Sequence, residues 1–289
     1  MATAAQWIEG ARLRTLPMAI APVLIGSAAA YALDGFHLGR ALLALVVALA
    51  LQVGVNYSND YSDGIRGTDD ERVGPLRLTG SGAAPARAVK RAAFACFGLG
   101  ALAGLALVVW AGTWWLIAVG VLAIAAAWYY TGGRKPYGYM GLGEVFVFIF
   151  FGLVAVLGTT YTQALALSGP AWAAAVGCGL VSTALLMANN VRDIPTDRES
   201  GKMTLAARLG DGPARWSYVG MVAVAVALPL FFTGQYPWLW LVLLAAAVAV
   251  KPALAMLRST ERRDLIPVLK LTGVLGLVYA VLFAVGLVL

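Results

Sequence analysis

The chain has 289 residues, of which 61% are hydrophobic and only 12% are charged. Since soluble domains carry about 25% charged residues, this composition excludes an ordinary soluble enzyme and indicates a protein with many membrane-spanning helices. The formal net charge of +7 would fit a nucleic-acid-binding protein if the chain were soluble. Here the basic residues fall between apolar segments, so no nucleic acid partner is expected.

Apolar segments that are long enough to cross a bilayer recur along the whole chain. A span needs about 20 mostly apolar residues, and only 59–91 and 190–214 remain as long loops. The sequence therefore predicts an all-α membrane bundle that forms one domain over residues 1–289. The nine predicted spans lie near residues 15–33, 40–58, 92–111, 113–131, 143–163, 171–189, 215–233, 236–257 and 266–288.

Lys and Arg are divided unequally between the two ends of these spans. If the N-terminus lies in the cytoplasm, 20 of the 21 basic residues fall on the cytoplasmic side and only Arg40 falls outside. This division satisfies the positive-inside rule. We therefore predict a multi-pass protein of the plasma membrane, with its N-terminus in the cytoplasm and its C-terminus outside.

The chain contains few histidine and cysteine residues. His37 is the only histidine, and it falls in the outer loop between the first two spans. Cys96 and Cys178 both fall within spans, where cysteine behaves as a small apolar residue. These positions argue against a Ser–His or Cys–His mechanism and against a zinc site with histidine ligands.

Two acidic clusters close the second and the sixth predicted spans. The first runs from Asn56 to Asp69 and the second from Asn189 to Asp197. Carboxylates at membrane depth are costly and are usually kept for function. Four spans separate the clusters, so the chain returns to the same face and the clusters can converge on one cavity. Alternatively, each cluster is a solvated helix end with capping residues, but two such clusters on one face favour a site.

The spacing within each cluster suits a site for magnesium and a diphosphate. If the second span stays helical to its end, its asparagine and two aspartates share one face. The second cluster has the same one-turn spacing, although Pro195 can break the helix there. Mg²⁺ takes one or two carboxylates together with substrate phosphates. The predicted metal ligands are Asn56, Asp60, Asp63, Asp193 and Asp197.

Cations for the diphosphate are expected in the adjoining loops. The predicted diphosphate-binding residues are Arg66, Arg134, Lys135, Tyr139 and Lys202. The Gly- and Pro-rich segment 131–144 is either a plain turn or an irregular segment that brings Lys135 and Tyr139 to the site. Arg14, just before the first span, either sets the membrane orientation or binds an anionic acceptor.

The two clusters resemble the paired aspartate-rich motifs of the UbiA superfamily of intramembrane aromatic prenyltransferases. Those motifs run N-x3-D-x2-D and D-x3-D, and this chain matches them position by position. The resemblance covers essentially the whole chain. Segments 12–17, 59–69, 72–77 and 131–144 resemble, more narrowly, the 1,4-dihydroxy-2-naphthoate polyprenyltransferases of menaquinone biosynthesis. Asp69 departs from the pattern because it lies six residues after Asp63 instead of four, which predicts a loop position.

The resemblance implies an Mg²⁺-dependent reaction in the lipid bilayer. A polyprenyl group would pass from polyprenyl diphosphate to 1,4-dihydroxy-2-naphthoate, with loss of carbon dioxide and diphosphate, to give demethylmenaquinone. Asp60, Asp193 and Asp197 would be catalytic, and Asp197 is the candidate base. Aromatic rings can stabilise an allylic cation, and the candidates are Tyr57, Tyr61, Tyr139, Phe146 and Phe150. The sequence indicates neither the prenyl length nor the oligomeric state.

Three alternatives remain open. The same fold accepts other aromatic substrates, among them 4-hydroxybenzoate and homogentisate. A CDP-alcohol phosphotransferase requires Ala-Arg where this chain has Gly67-Thr68. A transporter would carry its acidic residues inside the spans, near the midplane. Here they lie at the span ends beside Arg and Lys, which fits a phosphorylated substrate better.

Overall fold

The computed structural model describes residues 2–67 and 76–289, in which the regular elements are helices and no strand occurs. In chain order the helices are α1 (Ala4–Ala11), α2 (Pro17–Tyr31), α3 (Leu38–Gly64), α4 (Ala86–Ala111), α5 (Leu116–Tyr129), α6 (Gly143–Ala164), α7 (Gly169–Arg192), α8 (Ile194–Glu199), α9 (Leu205–Leu209), α10 (Asp211–Phe232), α11 (Pro237–Arg258) and α12 (Arg262–Val288). The predicted all-α class is confirmed.

All nine predicted spans coincide with helices, but the number of long membrane-spanning helices is lower. Among the described residues, seven helices are long and apolar enough to cross a membrane. Ala4–Thr15 and α2 together make an eighth candidate that is bent by 47°. The bend falls where Pro17, whose fixed φ suits a first helical position, starts α2. The one remaining predicted span is α5, which is apolar but only 14 residues long. The predicted count of nine is therefore approximate.

Helix α7 forms the centre of the bundle. In its most apolar window 72% of the residues are buried, compared with 28% in α3, α4 and α6. Small residues allow this close packing. A Cβ atom added to Gly152 of α6 would lie 2.5 Å from the Cα of Gly179 on α7. Residues Phe148–Leu157 of α6 are wound as a π-helix, a form that often marks functional sites.

Helices α3 and α7 both end beside residues 130–142, which we call the α5–α6 linker. The Thr131 hydroxyl of this linker donates a hydrogen bond to Asn59 of α3 at 2.8 Å. Just after the linker, Glu144 accepts a hydrogen bond from Asn190 of α7, also at 2.8 Å. The fold therefore brings the carboxyl ends of the two helices that carry the acidic clusters to one end of the bundle.

Candidate active site

Helix α3 presents the first acidic cluster on one face. It remains helical to Gly64, so Asn56, Asp60 and Asp63 share a face, as the spacing predicts. Their exposed fractions are 4%, 0% and 5%. The cluster is therefore inside the protein and is not a solvated helix end.

Asp60 is held by two backbone amides. Its Oδ2 accepts a hydrogen bond from the amide of Leu78 at 2.7 Å, and its Oδ1 accepts one from the amide of Thr79 at 2.8 Å. These bonds fix the turn that precedes α4 against the end of α3. Each carboxylate oxygen has a further lone pair, so the same group can still bind a cation.

Asn56 and Asp63 contact other parts of the chain. The side-chain amide of Asn56 donates to the carbonyl of Ala11 at 2.9 Å and to the Thr15 hydroxyl at 3.0 Å. Asp63 accepts a hydrogen bond from the Tyr139 hydroxyl at 2.8 Å, and a guanidinium nitrogen of Arg77 lies 4.0 Å from it. The cluster thus joins the N-terminal segment, the α5–α6 linker and the turn before α4.

The second acidic cluster lies at a helix break. Helix α7 ends at Arg192 and α8 begins at Ile194, so the break falls at Asp193, two residues before the proline that predicts it. The amide of Asp197 still donates to the carbonyl of Asp193 at 2.8 Å, which preserves the one-turn spacing. Both aspartates are buried, with exposed fractions of 8% and 6%.

Cations hold both aspartates of the second cluster. Arg192 donates to the two oxygens of Asp193, each at 2.7 Å, in a bidentate pair that is itself buried. The ammonium of Lys202 lies 3.4 Å from Asp197, and the Thr204 hydroxyl donates to the same carboxylate at 3.3 Å. Charge-assisted contacts of this kind are stronger than neutral hydrogen bonds.

Tyr139 connects the two clusters. Its hydroxyl donates to Asp63, and the ammonium of Lys202 lies 5.3 Å from its ring centroid. The carbonyl of Tyr139 also accepts a hydrogen bond from the amide of Met203 at 3.0 Å. Since Lys202 contacts Asp197, one chain of contacts runs from the first cluster to the second. The two clusters are therefore linked through Tyr139 and Lys202, and their convergence on one cavity stays a prediction.

The other predicted diphosphate-binding residues have different surroundings from Tyr139 and Lys202. Arg66 donates to the carbonyls of Thr131 and Gly133, and its guanidinium lies 5.5 Å from the ring centroid of Tyr139. Arg134 and Lys135 are exposed. In addition, Arg14 is exposed in the turn before α2, and the predicted loop residue Asp69 lies outside the described residues. The binding roles of these side chains remain predictions.

The aromatic candidates divide into two groups. The candidates Phe146 and Phe150 stack with a centroid distance of 6.2 Å, and Tyr137, which is not one of the predicted candidates, stacks on Phe146 at 4.0 Å. The three rings make a row that leads from the linker into α6. Tyr57 and Tyr61 instead contact other aromatic rings, those of Trp7 and Trp128. Burial raises the pKa of Tyr137, so its hydroxyl stays protonated and donates to the carbonyl of Ala126.

Sequence reasoning assigned no site role to Arg77, Glu144 or Arg192. The two arginines belong to the site because they contact Asp63 and Asp193. Glu144 is 3% exposed and accepts its hydrogen bond from Asn190 of α7. A glutamate at the start of an apolar span was itself a signal, because a buried charge in a membrane protein is usually functional.

The side-chain atoms of the two clusters that could bind a metal are hard oxygen donors. Within the described part of the chain, no three His, Cys, Asp or Glu side chains lie close enough together to hold a metal ion by themselves. This arrangement fits Mg²⁺, which usually binds one or two carboxylates and completes its shell with water and substrate phosphates. The site is therefore suited to a metal that arrives with a phosphorylated substrate.

Comparison with known proteins identifies relatives along the full length of the chain. A relative from Mycobacterium tuberculosis is 54% identical, with 98% of this chain and 97% of the relative covered. Another, from Mycobacterium leprae, is 49% identical, with 100% and 98% covered. Both bear the name 1,4-dihydroxy-2-naphthoate octaprenyltransferase.

Solved structures show the same fold. A UbiA homologue from Aeropyrum pernix K1 in its apo form superposes with a TM-score of 0.68 at 18% identity, covering 93% of this chain and 96% of that one. A UbiA homologue from Archaeoglobus fulgidus bound to GPP and Mg²⁺ gives 0.66 at 12% identity, covering 98% and 99%. The UbiA prenyltransferase family model matches residues 19–274, and this chain belongs to the UbiA prenyltransferase family.

Proposed function

We propose that the chain transfers a polyprenyl group from polyprenyl diphosphate to 1,4-dihydroxy-2-naphthoate, with release of carbon dioxide and diphosphate. The observation that carries this proposal is the junction of two buried aspartate clusters through Tyr139 and Lys202, at the end of a bundle of apolar helices. The names of the two mycobacterial relatives, which match almost the whole chain, support the naphthoate as acceptor.

The metal of the reaction is Mg²⁺, for which the oxygen donors of the two clusters are suited. The residues that would hold it are Asn56, Asp60, Asp63, Asp193 and Asp197. When bound, the ion supplies a Lewis acid that neutralises the diphosphate. The homologue from Archaeoglobus fulgidus that is bound to GPP and Mg²⁺ supports this choice of metal.

The cations of the site bind and orient the diphosphate. Lys202 lies where the clusters meet, with 18% of its side chain exposed, so it can contact both Asp197 and a phosphate. Arg77, which is 8% exposed, supplies a second charge beside Asp63. Because both cations are largely desolvated, their attraction for an anion is stronger than it would be in water.

The acceptor supplies the electrons for the new bond. The carboxylated ring carbon attacks the allylic carbon as the carbon–oxygen bond to diphosphate breaks, and the carboxyl group leaves as carbon dioxide. The transfer and the loss of carbon dioxide involve no net oxidation of the ring. The immediate product is therefore a naphthalenediol, which is the reduced form of demethylmenaquinone. In this proposal Tyr139 and the row of Tyr137, Phe146 and Phe150 supply the aromatic faces that stabilise an allylic cation.

The site opens to the cytoplasm of a cell whose plasma membrane holds the protein. This orientation is supported by the uneven distribution of Lys and Arg, of which only Arg40 falls on the outer side. In the structure Arg40 donates to the carbonyls of Trp110, Thr162 and Gln163. It therefore ties together α4 and α6 at the end of the bundle opposite the acidic clusters.

The test is an assay of the purified protein in detergent with dihydroxynaphthoate, a polyprenyl diphosphate and Mg²⁺. Carbon dioxide and prenylated naphthalenediol are followed together. Asp63→Asn removes one charge from the first cluster, and Asp264→Asn is the matched control because Asp264 is exposed at the start of α12. We expect equal amounts of both products, a requirement for metal, and loss of both in Asp63→Asn alone.

Two results would contradict the proposal in different ways. If 4-hydroxybenzoate is prenylated without carbon dioxide release and the naphthoate is not, the prenyl transfer stands but the acceptor is wrong. If no aromatic acceptor is prenylated with any polyprenyl diphosphate, the proposed reaction is wrong altogether.

A further inference from the structure

Glu144 carries a carboxylate oxygen that has no hydrogen-bond partner within the described part of the chain. The side chain is 97% buried. Its Oε1 accepts the hydrogen bond from Asn190, but its Oε2 is shielded from solvent and accepts none. A buried polar atom without a partner is destabilising, and such atoms are rare enough in native proteins to require an explanation.

The position of Glu144 connects it with the active site. It lies in the first turn of α6, directly after the α5–α6 linker that carries Tyr139. Lys202 and Asp197 are both among the charged groups that interact electrostatically with it. Burial, together with the carboxylates of Glu144, Asp63 and Asp197, raises the pKa of Tyr130 at the start of the linker. Glu144 is therefore a further acidic group of the same site, outside both acidic clusters.

The chemistry of the two proposed substrates limits what can bind this oxygen. A carboxylate repels the diphosphate and the carboxylate of the acceptor, and it accepts hydrogen bonds only. The polyprenyl chain has no donor. Among the groups that enter the reaction, the hydroxyls of the naphthoate ring are the donors available to Glu144.

We infer that Glu144 binds the 1-hydroxyl of the acceptor, next to the carboxylated carbon, and takes its proton. This inference rests on the proposed function. As the ring carbon bonds to the allylic carbon and diphosphate leaves, the proton passes to Oε2 and the C1 oxygen becomes a ketone. The ring carbon next to that ketone still carries the carboxylate, so the intermediate is a β-keto acid. The carboxylate then leaves as carbon dioxide. Its electron pair forms the enolate, which recovers the proton from Glu144, so the residue is regenerated.

The substitution Glu144→Gln tests this inference. Glutamine has the same shape and keeps the bond from Asn190 to Oε1, but it places an NH₂ donor where the hydroxyl would donate. General acid–base groups contribute about 10²–10⁴-fold to rate, so we expect kcat to fall at least about 100-fold. The exposed Glu261→Gln is the control, and Asn190→Ala removes the structural bond while leaving the carboxylate in place.

The decisive readout is acceptor binding. Inhibition constants are measured for 4-hydroxy-2-naphthoate, which lacks the 1-hydroxyl, and compared with the affinity for the dihydroxy acceptor in the presence of Mg²⁺ and a prenyl thiodiphosphate. A hydrogen bond to a charged group makes a difference of about 10- to 100-fold. We expect wild-type protein and Asn190→Ala to prefer the dihydroxy compound by this factor and Glu144→Gln to show no preference.

Thermal stabilisation by Mg²⁺ and the thiodiphosphate serves as the folding control and should be the same in Glu144→Gln as in wild type. An equal preference for the two naphthoates in wild-type protein would overturn the inference, whether or not the variants fold. So would an unchanged preference in a folded Glu144→Gln protein. Failure of the proposed function is distinct, because wild-type protein would then form no product from dihydroxynaphthoate at all.

Discussion

The two acidic clusters have similar residues at similar spacing, but their carboxylates are held by different partners. Asp60 of the first cluster accepts hydrogen bonds from two neutral backbone amides. Asp193 of the second cluster is bound by the guanidinium of Arg192 through two short contacts. Both carboxylates are buried, so water does little to screen the positive charge beside Asp193 or the negative charge of Asp60.

This difference indicates that Asp60 and Asp193 have different roles in the site. A carboxylate held by neutral donors keeps its negative charge available for a metal ion. A carboxylate paired with arginine is already neutralised, so a cation must compete with Arg192 for it. We therefore expect Asp60 to contribute more to the metal affinity than Asp193, which stays paired with Arg192 until the diphosphate arrives.

The largest effect is expected for Asp60→Asn. The substitution removes the charge and turns one amide nitrogen toward a backbone N–H, which leaves a buried donor without a partner. Because loss of groups that merely support metal ligands reduces activity about 10- to 100-fold, loss of this ligand should reduce turnover by more than about 100-fold. Initial rates over a range of Mg²⁺ concentrations measure it; the variant should need a higher Mg²⁺ concentration than wild type, and an unchanged Mg²⁺ dependence would contradict the comparison.

Arg192→Gln tests the role of the ion pair in the second cluster. Removal of one partner from a buried ion pair destabilises a protein by about 3–5 kcal/mol, because a buried charge is left unpaired. We expect a lower melting temperature without metal and a larger stabilisation by Mg²⁺ than in wild type, since the ion no longer competes with the guanidinium. Melting curves with and without Mg²⁺ test this, with the exposed Arg263→Gln as control. An unchanged response to the ion would show that Asp193 does not contact it.

A smaller effect is expected for Tyr139→Phe, which removes the hydrogen bond to Asp63 but keeps the ring between Arg66 and Lys202. A hydrogen bond to a charged group contributes about 1.5–3 kcal/mol, so turnover should fall about 10- to 100-fold. Tyr139→Leu, which also removes the ring, should lose more. Equal losses in the two variants would assign the whole effect to the hydroxyl and none to the ring.

The smallest effect is expected for Lys135→Ala. Lys135 is exposed, and exposed charges contribute about 0–1 kcal/mol, so the KM for the prenyl diphosphate should rise less than about fivefold. Lys202→Ala should raise it much more. If Lys135→Ala matches Lys202→Ala, then Lys135 moves onto the diphosphate when it binds, as the sequence predicts.

Much of the fold could be predicted from the sequence, because long apolar segments have few alternatives to helices in a membrane. Less predictable were the π-helical winding of α6 and the short α5. The former includes Gly152, which lies close to Gly179 of α7, and that contact exists only once α6 and α7 have packed together.

The aspartates of the site could also be predicted, because their spacing places them on one face of a helix. Their partners could not. Tyr139 lies 76 residues after Asp63, and Glu144 lies 46 residues before Asn190, so only the packed bundle brings each pair together. Arg192 was visible beside Asp193, but the sequence does not show that the guanidinium binds both oxygens of its neighbour.

The most direct test is whether the two clusters act as one site. Binding of a prenyl thiodiphosphate in the presence of Mg²⁺ is measured for wild type, Asp63→Asn, Asp197→Asn and the double variant. Residues of one network show coupling energies of about 0.5–3 kcal/mol, whereas distant independent sites add within about 0.5 kcal/mol. We predict that the double variant loses at least about fivefold less affinity than the product of the single losses. Losses that multiply would contradict a single site shared by both clusters.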